Sequence, residues 1–299
     1  MKYRFMDGQR GIHSVERMAE VMGVSRSGYY AWQDRGESAR GRANRDLAEA
    51  IRVIQEKVKY RYGSPRVTAE LRRAGMAVGH NRVARLMAHN GLQARTKRRF
   101  RCTTKAAEGR PVAENLLSRN FKVSRANAVW ASDVTYIATS EGWLYLAVIL
   151  DLCSRRVVGW AMSSRLTTDL VLRAFGMAVL NRNPPQGLMF HSDRGSQYTS
   201  KAFCKALERR RMIQSMSRKG NCWDNAPSEA FFATLKNELM DGKAFAGRRA
   251  AQAAIFEYME VFYNRQRLHS SLGYLTPVEH EEAISRGVSE YHPLRKNAL

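Results

Sequence analysis

An aspartate in the middle of an otherwise apolar, β-rich run is the feature that most constrains this chain. The run is Val129-Trp130-Ala131-Ser132-Asp133-Val134-Thr135-Tyr136-Ile137. Its β-branched and aromatic residues favour a strand, and a carboxylate inside such a strand is costly unless something neutralises it. A bound divalent metal would do so. Two more acids stand at element boundaries. Asp193 follows the apolar run Leu188-Met189-Phe190, which reads as a buried strand ended by a turn. Glu229 falls in the first turn of a helix entered through Pro227, where an acid suits the helix dipole. Between Asp193 and Glu229 lie 35 residues.

The elements around these acids alternate as in a mixed α/β sheet. Strands are expected at 129–138, 143–151 and 155–162, joined by tight turns at Ser140-Glu141-Gly142 and Cys153-Ser154. Thr167-Thr168-Asp169 caps a helix carrying Leu170, Leu172, Phe175 and Val179, and Asn183-Pro184-Pro185 breaks it. A strand at 188–191 leads to Asp193, a helix runs from Thr199-Ser200 to about Arg210, and 212–216 reads as the last strand. A later helix at 249–263 buries Ile255, Phe256, Met259 and Phe262.

The first part of the chain reads as all-helical. In residues 14–34, Val15, Met18, Ala19 and Met22 recur at helical spacing, Gly23 supplies a turn, and Ser25 can cap a second helix bearing Tyr29, Tyr30 and Trp32. This is a helix-turn-helix in which Arg26 meets a phosphate, or a helical pair with the aromatics as core; spacing leaves both open. A second unit follows. Leu47, Ile51, Ile54 and Val58 form one stripe, Pro65 starts a helix with Val67 and Leu71, and Val83, Leu86 and Met87 lie on a third that ends at Asn90-Gly91. Its third helix places Asn81, Arg82 and Arg85 toward a major groove, or leaves the arginines solvated.

Charge says what such helices meet. The 299 residues carry 50 Lys+Arg against 27 Asp+Glu, a net charge of +23, which points to a polyanion, nucleic acid first and an acidic membrane second. Up to residue 125 there are 28 basic and 11 acidic residues, leaving 22 and 16 for the remainder. The first part therefore reads as the main DNA-gripping portion. Arg95, Lys97, Arg98, Arg99, Arg101 and Lys105 crowd into eleven residues with little apolar periodicity, which reads as a basic linker that orders on phosphates or as a solvated tether, the density of cations favouring phosphate contact. Four scattered cysteines form no Cys-x-x-Cys pair, arguing against a zinc site or disulfide framework and for a reducing cytoplasm. The longest apolar run, Trp143 to Leu150, is far short of the roughly 20 residues that span a bilayer. The start of the chain has no signal-peptide pattern, so the expected location is the cytoplasm.

Four blocks carry a specific resemblance. They are Val129-Trp130 through Ile137; His191-Ser192-Asp193-Arg194-Gly195-Ser196-Gln197-Tyr198; Gly220-Asn221-Cys222-Trp223-Asp224-Asn225-Ala226-Pro227 with Glu229, Leu235 and Lys236; and Tyr263-Asn264 with His269-Ser270-Ser271-Leu272-Gly273-Tyr274-Leu275-Thr276-Pro277. In that order they resemble the DDE transposases of the IS-three family of bacterial insertion sequences, in particular those encoded by the second reading frame. The resemblance implies a ribonuclease-H-like, retroviral-integrase-type catalytic core preceded by small all-α helix-turn-helix domains. The expected divisions are a helix-turn-helix segment at 1–40, a second helical DNA-binding domain at 44–93, a basic linker at 94–125, the catalytic core at 126–240 and a helical extension at 241–299.

What this implies chemically is phosphodiester transfer. Asp133, Asp193 and Glu229 are expected as ligands of two Mg²⁺ ions, with Mn²⁺ as substitute; carboxylate oxygens without His or Cys suit Mg²⁺. Water nicks at the element end, and the liberated 3′-hydroxyl attacks a second phosphodiester. Arg194, Gln197, Tyr198, Asn225 and Lys236 match the family, with Arg194 and Lys236 expected on DNA. Arg265 and Arg267 suggest further phosphate contacts. Among competing acids, Asp151 reads as a strand-end cap or a partner of Arg155 or Arg156, Asp224 as a turn cap and Glu238 as half of an ion pair. His191 and His269 read as structural. The expected partners are double-stranded DNA (terminal repeats and target), further copies of the chain on paired ends, and an upstream-frame protein as partner or fusion. Two other functions fit parts of the pattern. A regulator that only binds DNA leaves the acids unexplained, and a metal-dependent nuclease of the same fold stops at hydrolysis; the block at 263–277 favours the transposase.

Overall fold

The computed structural model describes residues 1–94, 113–218, 222–240 and 244–287. The basic run Arg95, Lys97, Arg98, Arg99 and Arg101 lies outside the described residues.

Three short helices open the chain: α1 (Lys2–Gly8), α2 (Val15–Met22) and α3 (Arg26–Gln33). Ser14 and Ser25 cap the second and third through the amides of Arg17 and Gly28, at 3.4 and 3.0 Å, and Gly23 turns between them in the left-handed region. Tyr29 is fully buried with Met6, Met18 and Ala19, and Tyr3 and Trp32 pack around it. The aromatics are thus core, and α1, which the periodicity did not reveal, completes it.

The second helical unit comprises α4 (Ala39–Lys57), α5 (Ser64–Arg73) and α6 (His80–His89). Its apolar stripe does not close on itself alone. Leu47, Ile51, Val67, Leu71, Val83 and Met87 belong to one continuous core that also contains strand and C-terminal residues.

The sheet has the order β3-β2-β1-β4-β5, with β1 (Val129–Thr139), β2 (Gly142–Asp151), β3 (Val157–Ser163), β4 (Met189–Ser192) and β5 (Ile213–Met216). The first three form an antiparallel meander, and β4 and β5 run parallel to β1. On one face lie α7 (Thr168–Arg182) and α8 (Lys201–Arg209), burying Trp130, Phe175, Phe190 and Phe203. β3 and α7 approach closely at Gly159, where a Cβ would stand 2.4 Å from the carbonyl oxygen of Ala174 and 2.8 Å from the amide nitrogen of Ala178. Only glycine fits there.

The other face is covered by α9 (Ala226–Leu235), which continues in wider turns through Lys236–Met240, and by α10 (Arg248–Phe256), which continues through Glu257–Tyr263. These helices also meet the second helical unit. The buried Tyr62 hydroxyl donates to the carbonyl of Gln266 at 2.9 Å and accepts from the amide of Leu268 at 2.8 Å. A last helix, α11 (Pro277–Ser285), opens on a capping box between Thr276 and Glu279. Among the described residues no helix is long and apolar enough to cross a membrane.

Candidate active site

The parallel pairing of β1 and β4 sets Ser132 opposite Ser192. Asp133 and Asp193, each one residue further on, therefore emerge at the same level from neighbouring strands, whose spacing is about 4.8 Å. β4 ends there and β1 continues, so the two acids sit where one strand stops beside the other. The Asp133 carboxylate accepts from its neighbour's amide, Val134, at 2.8 Å, and that of Asp193 from the amide of Gly195 at 3.0 Å. Gly195 keeps this corner open: a Cβ on it would lie 3.0 Å from Asp193 Oδ1 and 3.1 Å from Gln197 Oε1. Beneath them the buried Tyr198 hydroxyl shares a 2.7 Å hydrogen bond with Ser132 Oγ.

Glu229 is carried by the helix that packs against β1. α9 packs on β1, and Glu229 is exposed in its first turn. The residue just before the helix, Asn225, is buried and donates through Nδ2 to the carbonyl of Ser132 at 3.3 Å. The start of the helix is thereby tied to the strand position adjoining Asp133.

The electrostatics are those of an acid cluster short of positive charge. Asp133 is pushed well above the usual carboxylate range, by burial first and then by the charge of Asp193; the Val134 amide opposes this, Glu229 adds to it and Lys236 opposes it. Burial raises Asp193 against the pull of the Gly195 amide, and burial raises Glu229 as well. Lys236, two turns beyond Glu229, is half-buried, and burial lowers its pKa while Asp133 raises it. Its ammonium stands 4.8 Å from the centre of the Tyr136 ring.

The donor set suits a hard divalent cation. It consists of carboxylate oxygens, and the nearby His191 is buried with its ring nitrogens on Ser215 Oγ and Ser217 Oγ, at 2.9 and 3.2 Å. The arrangement is not a closed cage. Among the described residues no three His, Cys, Asp or Glu side chains stand close enough together to hold an ion. Asp133 and Asp193 form a juxtaposed pair, and Glu229 acts on Asp133 through its charge from the first turn of α9.

The side chains expected on DNA divide by exposure. Asn81, Arg85 and Arg265 are exposed. Arg26 is exposed too, 2.6 Å from Glu16. Arg82 is half-buried and donates to Asn44 Oδ1 at 3.0 Å, and Arg194 donates to the carbonyl of Ser217 at 2.7 Å. Arg267 is a correction. It is buried, its Nε donating to the two carboxylate oxygens of Glu238 at 3.0 and 2.9 Å and its Nη2 to one of them at 2.7 Å, so its guanidinium faces the interior and not a phosphate. Asp151 takes the strand-end capping role, accepting from the amides of Asn127, Cys153 and Ser154 at 2.6, 2.9 and 3.1 Å; Arg156 pairs instead with Glu281.

Sequence reasoning undervalued Asp224. It is fully buried, and its carboxylate accepts from Arg218, Arg119 and Asn115. Arg119 lies 105 positions away in the chain, so no local pattern signals the contact.

Comparison with known proteins gives a consistent family. Residues 123–222 and 229–284 match models of the integrase core domain, and residues 42–100 match a helix-turn-helix-like domain. The chain is 41% identical over 283 residues to a transposase, InsF, of insertion sequence IS3A from Escherichia coli K12, covering 94% of this chain and 98% of that protein. It is 45% identical over 265 residues to an uncharacterised 31 kDa protein of insertion element IS600 from Shigella sonnei, covering 89% of this chain and 97% of that one. Among solved structures it is similar to a chain of the simian T-cell lymphotropic virus intasome, at a TM-score of 0.44 and 14% identity over 77% of this chain and 74% of that one. The HTLV-2 integrase catalytic core, solved in complex with magnesium, aligns at a TM-score of 0.40 and 19% identity over 52% of this chain and 97% of that one.

Proposed function

This chain belongs to the IS3 family of insertion-sequence transposases, DNA-cleaving and DNA-joining enzymes with an integrase core, and we propose that Asp133, Asp193 and Glu229 are its catalytic centre. The observation that carries this reading is the register of β1 and β4, which levels Asp133 with Asp193 beneath the helix that bears Glu229. A Mg²⁺-type cation pair held by these three carboxylates, with Mn²⁺ as substitute, would supply charge neutralisation at the phosphodiester and acidify the attacking oxygen. The chain's own groups do the rest. The Val134 and Gly195 amides fix one oxygen each of Asp133 and Asp193, leaving the other free to bind. Lys236, beside Asp133 and over Tyr136, orients the phosphate on its non-reacting oxygens. No Ser or Cys nucleophile is needed, because water and then the liberated 3′-hydroxyl attack.

In this reading the exposed Asn81 and Arg85 and the half-buried Arg82 of α6 meet the terminal repeat, with Arg26, Arg194, Arg265 and the basic run at 95–101 on phosphates. The protein acts as a multimer on paired element ends, alone or with an upstream-frame protein. The test is a joining assay on labelled terminal-repeat DNA in Mg²⁺. Asp193→Asn should abolish both nicking and joining while binding DNA as the wild type does. Nicking without joining by the wild type would make the protein a nuclease, and an active Asp193→Asn variant would discard the site.

A further inference from the structure

Glu229 is the exposed member of the acid cluster, yet the segment that carries it is fastened by a buried charge. Asp224, five residues earlier, has no exposed surface. Its Oδ2 accepts from Arg218 N and Arg218 Nε, both at 3.0 Å, and from Asn115 Nδ2 at 2.8 Å. Its Oδ1 accepts from Arg218 Nη2 and Arg119 Nε, both at 2.9 Å. Five donors saturate the carboxylate, and two guanidiniums balance its charge with their outer sides in solvent. Burial of a carboxylate is tolerated only with pairing of this kind. The carboxyl is accordingly held below the usual range, the side-chain hydrogen bond from Arg218 leading.

The position of this clamp is what gives it a role. Asn115 and Arg119 come from the segment that precedes β1, and Arg218 from the residues just after β5. That same preceding segment is stitched to β5 by the amides of Leu116 and Leu117 on Ser215 Oγ, at 3.0 and 3.2 Å. The next residue after the clamp, Asn225, is the one tied to Ser132. The backbone entering α9 is therefore held at two consecutive residues, one to the β5 side of the sheet and one to the strand of Asp133. A turn cap, the role expected of Asp224 from its place in the chain, would not need three partner residues from outside the turn.

We propose that Asp224 is a positioning residue for Glu229: with Asn225 it holds the first turn of α9 where the third carboxylate can join Asp133 and Asp193 on a divalent cation. This rests on the three-acid site proposed above. A glutamate on an unfastened helix start must order both backbone and side chain on each binding event, whereas one on a fastened turn has only its side chain left to order. A neighbouring buried cluster, Glu238 with Arg267, fastens the far end of the same helix but lies nine residues from Glu229.

The experiment is titration calorimetry with Mn²⁺ on the full-length protein, comparing wild type, Asp224→Asn, Arg218→Gln and Glu229→Gln. Hydrogen exchange of the amides of residues 226–230 is followed on the same samples. Asp224→Asn should bind Mn²⁺ about tenfold or more weakly and exchange faster in that turn, and DNA cleavage should recover in part at high Mn²⁺. Arg218→Gln, whose side chain is half in solvent, leaves Asp224 two other partner residues and guards against a misfolded variant; it should shift both readings in the same direction by less. Wild-type Mn²⁺ affinity and exchange in both Asp224→Asn and Arg218→Gln, with Glu229→Gln weakened, would overturn the positioning role alone. Wild-type affinity in Glu229→Gln would overturn the three-acid site itself.

Discussion

Gly195 has no side chain, and the site depends on that. A methyl group there would press on the carboxylate of Asp193 and the amide oxygen of Gln197 at 3.0 and 3.1 Å, tighter than ordinary contact. Gly195→Ala should therefore slow DNA cleavage by about tenfold or more while the melting temperature hardly moves, because small displacements at a reacting centre cost more in rate than in stability. Gly159→Ala should do the opposite. Its methyl would collide with the backbone of α7, costing about 1–3 kcal/mol of stability or more, which a urea melt reads directly. At this scale the acids were legible for different reasons. Asp133 stood out because a charge in an apolar strand demands a counter-charge, and Asp193 because a strand ended at it. Glu229 rested on its match to the family, since helix phase alone does not separate it from Glu238. Arg267 was misread because its partner Glu238 lies 29 positions away, and Asp224 because, besides the nearby Arg218, it is held by Arg119 and Asn115 from 105 and 109 positions away, which nothing in local sequence announces.

Helix α9 and its continuation show how one element serves two ends. Glu229 lies in its first turn, and Glu238 is buried near its end against Arg267, with the Tyr258 hydroxyl donating to it at 2.8 Å and the Arg66 guanidinium 3.8 Å away as a second ion pair. Glu238→Ala would leave Arg267, 4% exposed, without its counter-charge. A loss of about 3–5 kcal/mol is expected in denaturant unfolding, whereas Arg265→Ala, on the surface, should cost little. α11 is pinned in a different way. Glu281 meets Arg156 at 2.7 Å and Arg182 at 2.9 Å. Burial alone would raise its pKa, but Arg182, Ser154 and Arg156 outweigh burial and hold it below the usual value. A depressed carboxylate stabilises the fold above its unfolded pKa of about 4.3 and stops doing so as pH falls through the folded value. The gap in melting temperature between wild type and Glu281→Gln should thus be full at pH 7 and close on acidification below about pH 4. The strands and most helices agreed with the sequence periodicity because their apolar faces are regular. α1 did not stand out, since it buries only Met6 and leans on the aromatics of α3.

The whole molecule joins its helix-turn-helix-like domain to its integrase core through one hydrophobic core. Leu47, Ile51 and Val67 of the second helical unit share that core with Ile137 and Leu144 of the sheet and Ile255 and Met259 of the C-terminal helices. Composition could not reveal this union, because apolar stripes show that a helix is buried and not what buries it. The net charge of +23 was legible and carries its own expectation. Binding to terminal-repeat DNA should weaken steeply with salt, and Arg85→Ala should lower the slope of log affinity against log salt by about one. The central claim is that three carboxylates from two strands and a helix hold the catalytic cations. It is tested most directly by anomalous scattering from a crystal of the protein grown with Mn²⁺ and cleaved terminal-repeat DNA. The account predicts manganese at the C-terminal end of β4 beside the middle of β1, bound by Asp133 and Asp193, with Glu229 completing the shell and Asp224 still on Arg218. Manganese bound elsewhere, or at this corner without Glu229, would contradict it.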